Sequence, residues 1–428
     1  MFLKTPKHAY TPCKAPLVLN QSERFIGMMS GTSLDAIDVV SVDLSFVKTK
    51  EAKSLFSTAL KSSNIRHYEL AYPRDLRDAV LAVQRDAQVT LSSLLALEQD
   101  LTRLYHHAVS SAFEDWGIEK SSIRALANHG QTLYHHAYPT QVSQARQRGQ
   151  QLTLQVGDPS YLAESLGIPV ITDFRRGDTA VGGQGAPLLP FYDALAFSEE
   201  NKTVIAHNLG GISNVTVLPA QSLGIEPFAF DTGLANLWID RAMNTYFSKP
   251  YDVEGHVASS GECLPALFDA LVHHPFYDEP LPKSTGRDAF SDERLFDLVE
   301  TYAPLEPKAS IITTLTHATA YTMAQAYQRW IFPQVKQVDV IIFSGGGVEN
   351  TYLLTLFQRY WQDLGLGLFP QLERPERYGV PNKAKEALGF AYLGWAKWHG
   401  LPNTLPACTG AKRYVSAGLI YTPFSASV

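Results

Sequence analysis

Two stretches, one in each half of the chain, share a build that few folds accommodate: a strand, a glycine-bearing turn, and a second strand running back. The first is a strand over residues 25–29, the turn Ser30-Gly31-Thr32-Ser33, and a partly alternating strand over 37–44. The second is a strand over 203–206, the turn Asn208-Leu209-Gly210-Gly211-Ile212-Ser213-Asn214, and a strand over 215–218. A third glycine turn, Ser344-Gly345-Gly346-Gly347, follows a buried-type strand over 338–343. Short apolar runs bounded by turn residues predict strands. Glycine lets a backbone take positive φ and approach a ligand closely. The two hairpins are a repeat of pattern, not of identity. With 428 residues, more than one core usually supports, they predict two α/β domains with a nucleotide cleft between them.

Between the turns, residues 73–116 read as helix. A short strand over 123–128 delivers His129-Gly130-Gln131-Thr132, and 141–151 is a polar loop. A turn and helix cover 156–167, a strand over 169–172 enters the loop 173–187, and 385–398 is a helix with an apolar face. Charged residues make up 18%, too many apolar positions remaining for disorder, and the net charge of −6 gives no reason to expect a nucleic-acid partner. No apolar run reaches bilayer length, so no membrane partner is expected. Residues 1–24 read as an N-terminal extension without the apolar core of a signal peptide. Cys13, Cys263 and Cys408 lie too far apart for a disulfide framework or zinc site, which points to a cytoplasmic protein. His135-His136 and His273-His274 lack a metal-binding constellation and read as surface residues.

Glycine turns at strand ends suit phosphates, because main-chain N–H groups and hydroxyls such as Thr32, Ser33 and Ser213 can donate to phosphate oxygens. Each turn alone is more often a plain hairpin; three in this order are more specific. No Gly-Lys-Ser/Thr follows a glycine run, which excludes a Walker P-loop. The first turn leads into a strand and not a helix, which excludes a dinucleotide fingerprint. A turn between antiparallel strands resembles the phosphate loops of actin, heat-shock chaperone ATPases and many sugar kinases, where a late triple glycine supports the adenosine.

The resemblance narrows at longer motifs. Gly27-Met28-Met29-Ser30-Gly31-Thr32-Ser33-Leu34-Asp35, His129-Gly130-Gln131-Thr132, Asp173-Phe174-Arg175-Arg176-Gly177-Asp178 and Gly182-Gly183-Gln184-Gly185-Ala186-Pro187 resemble those of the anhydro-N-acetylmuramic acid kinases. So do Phe230-Asp231-Thr232-Gly233 with Asn236 and Asp240, Lys283-Ser284-Thr285-Gly286-Arg287, Glu386-Ala387 and Thr409-Gly410-Ala411. The resemblance implies a two-domain actin-like (ribonuclease H-like) α/β fold. Its first domain would hold residues 25–145 and about 390–428, and its second 146–389. It implies ATP and Mg²⁺ as cofactors, an amino sugar as substrate, and a homodimer as one assembly. The family opens the 1,6-anhydro bridge of anhydro-N-acetylmuramic acid with water and phosphorylates O6, during peptidoglycan recycling.

Carried onto this chain, the resemblance makes Asp178 the catalytic base. ATP falls to Gly31, Thr32, Ser33, Leu34, Asp35, Ala36, Ile37 and Asp38, to Asn208, Gly210, Gly211, Ser213 and Asn214, and to Gly345, Gly346 and Gly347. Substrate falls to His129, Gln131, Thr132, Arg175, Asp231 and Asn236. A structural ion pair is the plainer role for Asp178, a capping turn for His129, and a helix cap for Asp231 and Asn236. Asp35, Asp38 and Asp178 are the metal candidates, since Met29 stands where the superfamily often has an aspartate. Ala36 replaces the family's usual glycine, which leaves a degenerate paralogue open. An ordinary kinase acting on a free sugar hydroxyl and a chaperone-like ATPase are the other readings.

Overall fold

The computed structural model describes residues 22–31, 34–47, 59–85, 89–136, 152–286 and 289–424. Thr32, Ser33, Arg287, the polar loop 141–151 and most of the N-terminal extension lie outside the described residues. The first half runs β1 (Ser22–Ser30), β2 (Ala36–Val47), β3 (Ala59–Ala71), α1 (Arg74–Arg85), α2 (Leu91–Trp116), β4 (Ile123–Asn128), β5 (Gln131–His136), β6 (Leu152–Val156), α3 (Pro159–Leu166), β7 (Val170–Thr172), α4 (Arg176–Thr179) and α5 (Leu189–Phe197). The second runs β8 (Val204–Leu209), β9 (Ile212–Leu218), β10 (Phe228–Leu234), α6 (Leu237–Phe247), α7 (Pro265–Val272), α8 (Asp292–Tyr302), α9 (Lys308–Ala326), β11 (Val340–Ser344), α10 (Thr351–Asp363) and β12 (Gln371–Glu373). The C-terminal elements are α11 (Lys385–Trp398), α12 (Pro406–Thr409) and β13 (Leu419–Tyr421).

One sheet has the order β13-β7-β4-β1-β2-β3, another β10-β9-β8-β11-β12. In both, the leading strand is central. It pairs antiparallel with the next strand, which pairs antiparallel with the third, and on its other side it pairs parallel with a later strand. This ribonuclease H-like order occurring once in each half is the hallmark of the actin-like ATPase fold.

The chain divides into two compact units, residues 1–196 with 379–428, and residues 197–378. That differs from the division expected from the sequence. Residues 152–196 belong with the first unit because β7 pairs with β4, extending that sheet and carrying the Asp178 loop with it. Residues 379–389 join it too, since α11 is one continuous helix against β1, β2 and β4. The expected helix over 73–116 is two helices. The second starts at the Thr90 cap, whose side chain accepts from Ser93 N, and stops at Gly117 in the left-handed region. β3 is not foreseen, because an edge strand reading Ala-Leu-Lys-Ser-Ser-Asn-Ile-Arg-His-Tyr-Glu-Leu-Ala carries little apolar signal.

In the first unit, Leu97, Leu101, Tyr105 and Val109 of α2 pack with Ile26, Met28 and Val39 of the sheet. Helix α11 lies unusually close to the sheet. A Cβ on Gly27 would sit 1.8 Å from the Ala387 carbonyl oxygen, and one on Gly394 would sit 2.6 Å from the Ala127 Cβ. This approach brings the first turn of α11, with Lys385 and Glu386, beside the start of β2. In the second unit, almost all of α9 is buried, and it contributes to both hydrophobic clusters there.

Candidate active site

Asp178 lies in the short α4, entered from β7, and is fully buried. Its Oδ2 accepts the Gly185 N–H at 2.8 Å and its Oδ1 accepts the Thr409 hydroxyl at 2.8 Å. Burial raises its pKa, against the lowering effect of these hydrogen bonds and, more weakly, of Arg175. The neighbouring arginine therefore does not make it a weak base; desolvation wins. The glycines that follow have a steric purpose. A Cβ on Gly183 would lie 2.1 Å from Asp178 Oδ2, and Gly185 has φ +73°. Gly183→Ala must displace the carboxylate or its loop. Since misplacement of about 1 Å can cost on the order of 10² in rate, turnover in a steady-state kinase assay should fall by about that factor with little change in melting temperature. Wild-type turnover would show that the carboxylate tolerates the shift.

Arg175 ties this loop to the His129 strand end. Its Nε and Nη2 donate to His129 Nε2 at 3.1 and 2.9 Å, and its Nη1 donates to the Gly185 carbonyl at 2.9 Å. Burial lowers the Arg175 pKa to about 10, opposed by the charges of Glu386 and Asp178. His129 is buried with its pKa held well below the usual range by burial and by Arg175, so it is neutral and accepts at Nε2. Gln131 is fully buried; its Oε1 accepts from Ser30 at 2.5 Å and Tyr72 at 3.3 Å. Thr132 Oγ1 accepts from Gln155 at 3.3 Å. Gln131 thus supports the strand ends from below, and its amide oxygen is already committed to side chains of its own unit.

At the first glycine turn, Leu34 is buried with φ 57°, a conformation unusual for a branched residue. Ala36 begins β2 and pairs with Ala71, in extended backbone that needs no glycine. Ile37 is fully buried, so it can offer a ligand only its main chain. Of the three metal candidates, Asp178 has both oxygens engaged in a sealed site, and Asp35 is exposed with Arg77 3.9 Å away. Asp38 is half-buried, with His67 Nε2 2.7 Å from its Oδ1, and its cross-strand neighbour is Glu69. Among the described residues, Asp38, His67 and Glu69 hold ligand atoms within 4.8 Å of one another. His67 and Glu69 lie on the unforeseen β3, so this grouping has no contiguous sequence signal.

In the second unit, Asn208 pairs with Asn214 and Leu209 with Ser213, leaving Gly210-Gly211 as the turn. Ser213 is fully buried. Its hydroxyl contacts His207 Nε2 at 2.7 Å and Thr232 Oγ1 at 2.5 Å, and its main chain pairs with both neighbouring strands, so neither is open to a ligand. Asn236 neither caps α6 nor stands free: its Nδ2 donates to the carbonyls of Leu209 and Gly210 at 3.1 and 2.8 Å, clamping the turn. The triple glycine packs on the same turn. A Cβ on Gly345 would meet Leu209 O at 2.6 Å and one on Gly347 would meet Asn236 Nδ2 at 2.7 Å, whereas Gly346 faces open space. Asp231 is no helix cap either. Its Oδ2 accepts from Thr285 N at 2.7 Å, and burial pushes its pKa up to about 7. His274, expected at the surface, is buried and accepts from Phe276 N.

Two site residues escape the sequence reading. Glu386 lies in a matching motif without a role; in the structure it interacts with Arg175 and Asp38, and desolvation followed by the Asp38 charge raises its pKa. Thr409 is likewise quoted only as a motif member.

A family model described as anhydro-N-acetylmuramic acid kinase matches residues 23–423. The anhydro-N-acetylmuramic acid kinase of Bacillus thuringiensis subsp. konkukian (strain 97-27) is 33% identical over 404 residues, covering 93% of this chain and 99% of the relative. That of Streptomyces coelicolor (strain ATCC BAA-471 / A3(2) / M145) is 35% identical over 401 residues, covering 93% of each. Among solved structures, a ROK family glucokinase from Streptomyces griseus in complex with glucose and AMPPNP is a distant match, with 11% identity, TM-score 0.35, and coverage of 86% of this chain and 98% of that one.

Proposed function

Because the chain belongs to the anhydro-N-acetylmuramic acid kinase family, a family of ATP-dependent sugar kinases, we propose the following assignment of its residues to that reaction. Water attacks C1 of the anhydro sugar, and Asp178 takes its proton. The C1–O6 bond breaks, O6 takes the γ-phosphoryl group, and ADP leaves. The products are N-acetylmuramic acid 6-phosphate, ADP and the proton held by Asp178. The observation that carries this assignment is the Asp178 site: a buried carboxylate of raised basicity, fixed from two sides, in a loop whose glycine leaves room for it. Solvent does not reach it in this conformation, so entry of the attacking water requires the loop 178–187 to shift.

Arg175 positions that loop against His129, and Glu386 offsets the Arg175 charge. In the first unit the glycine turn before β2 is the candidate for a nucleotide phosphate; in the second unit the Gly210-Gly211 turn is the candidate for phosphate and the open face at Gly346 the candidate for adenosine. His129 in the first unit and Asp231 in the second each remain a candidate polar group for the substrate. Asp38 is the carboxylate best suited to Mg²⁺, a hard cation that prefers oxygen ligands and retains waters. When bound, that ion neutralises phosphate charge. Among the described residues no helix is long and apolar enough to cross a membrane. Cys263 and Cys408 are not joined in a disulfide, which is compatible with a reducing, cytoplasmic location. A homodimer is testable by light scattering.

The chemistry is tested by incubating the enzyme with ATP and anhydro-N-acetylmuramic acid in ¹⁸O-water. Label in the C1 hydroxyl of the phosphorylated product is expected. Phosphorylated product without that label would favour an ordinary kinase acting on a free hydroxyl.

A further inference from the structure

We infer that Thr409 is a positioning residue for the catalytic base, its hydroxyl fixing the orientation of the Asp178 carboxylate from the far end of the chain. This rests on the reading of Asp178 as base. Thr409 is the last residue of α12 and is fully buried. Its Oγ1 donates to Asp178 Oδ1 at 2.8 Å and accepts the Ala411 N–H at 3.4 Å. The Leu405 carbonyl is a second acceptor at 3.3 Å. A hydroxyl has one proton, and the shorter contact to a carboxylate takes it, because charge-assisted hydrogen bonds are the stronger.

The main chain holds this geometry. Gln184 N donates to Thr409 O at 2.8 Å, and Lys412 N donates to Val181 O at 3.0 Å. Two backbone bonds thus fasten the 409–412 segment to the 181–184 loop on either side of the carboxylate. Gly410 makes the turn possible, with φ 74°. The Thr404 hydroxyl, buried and outside hydrogen-bonding geometry with any group, lies near enough to favour the charged form of Asp178. From the loop's own side the facing charge is Arg175, which is shared with His129 and Glu386; the stem of Lys412 packs at Gly182. None of these replaces the Thr409 contact at Oδ1.

The test compares Thr409→Val, which keeps shape and removes the donor, with Thr409→Ser, which keeps the donor. Thr409→Val should lower kcat by roughly 10–100-fold while KM for ATP stays within about threefold. Losing a donor to the carboxylate favours its protonated form, so the acidic limb of the kcat/KM–pH profile should move to higher pH by roughly one unit. Thr409→Ser should restore the wild-type limb. If Thr409→Val does not fold, Thr409→Ala carries the same expectation. A donor-free variant that is folded and has a wild-type pH limb overturns the inference, as does a Thr409→Ser limb displaced like that of Val. Asp178→Asn in parallel separates the two claims. If it abolishes turnover while Thr409→Val behaves as wild type, only the Thr409 role fails; if it keeps turnover, the reading of Asp178 fails first.

Discussion

Asp178→Asn should lower the single-turnover rate by about 10²–10⁴-fold, the range that a positioned general base contributes, while nucleotide affinity changes little. The amide fits the site. Its oxygen can accept from Gly185 N, and its Nδ2 can donate to the Thr409 hydroxyl, which rotates to accept. The stability effect has a definite sign. Burial raises the Asp178 pKa above its unfolded value. Such a carboxyl binds its proton more tightly in the folded state. Its contribution to stability is therefore greatest below the usual carboxylate range and is lost as pH rises through the raised pKa. At neutral pH the charged group weighs against folding, and asparagine removes that weight. The melting temperature of Asp178→Asn at pH 7 should equal or exceed that of the wild type. A structural ion pair predicts the opposite, a lower melting temperature with activity kept in the folded fraction. Near-normal turnover in a stable variant would take Asp178 out of the mechanism.

The parts of the site legible in the sequence are those encoded locally. Both glycine hairpins, the strand that ends at His129 and the full length of α11 follow from short-range pattern and turn chemistry. The misread parts depend on partners distant in the chain. Ser213 reads as a phosphate ligand until the structure shows its hydroxyl held by His207 and Thr232. Asn236 reads as a substrate ligand or, more plainly, a helix cap, and in the structure its amide clamps the turn of another hairpin. Thr409 meets Asp178 across a separation of 231 residues, and no spacing rule connects them. The same cause misplaced the domain boundary, which follows from the pairing of β7 with β4 and not from composition. Ala36 is the converse case. A departure from the family pattern looks damaging in sequence, but strand geometry at that position makes no demand for glycine. It gives no support to a degenerate paralogue.

Lys385→Met should destabilise the first unit by about 3–5 kcal/mol, the cost of leaving one member of a buried ion pair without its partner. Lys385 Nζ lies 2.9 Å from Asp193 Oδ1, and the side chains are only 9% and 4% exposed. Both charges are largely shielded from solvent, so loss of the lysine takes from the Asp193 carboxylate, between α5 and α11, its charged partner at 2.9 Å. In a thermal melt the change corresponds to roughly 10 °C. The double variant Lys385→Met/Asp193→Leu should recover most of the loss, because an apolar pair of similar volume often replaces a buried ion pair without penalty. Turnover separates structure from function here. Lys385 precedes Glu386 in the first turn of α11, which the close approach of Gly27 to Ala387 holds against the sheet. If that contact alone orients Glu386 toward Arg175, the double variant regains turnover along with stability. If the ion pair also orients it, stability returns and turnover does not. A single Lys385→Met variant that melts with the wild type would show that Asp193 is neutralised by other means, and that the pair has no part in fixing α11.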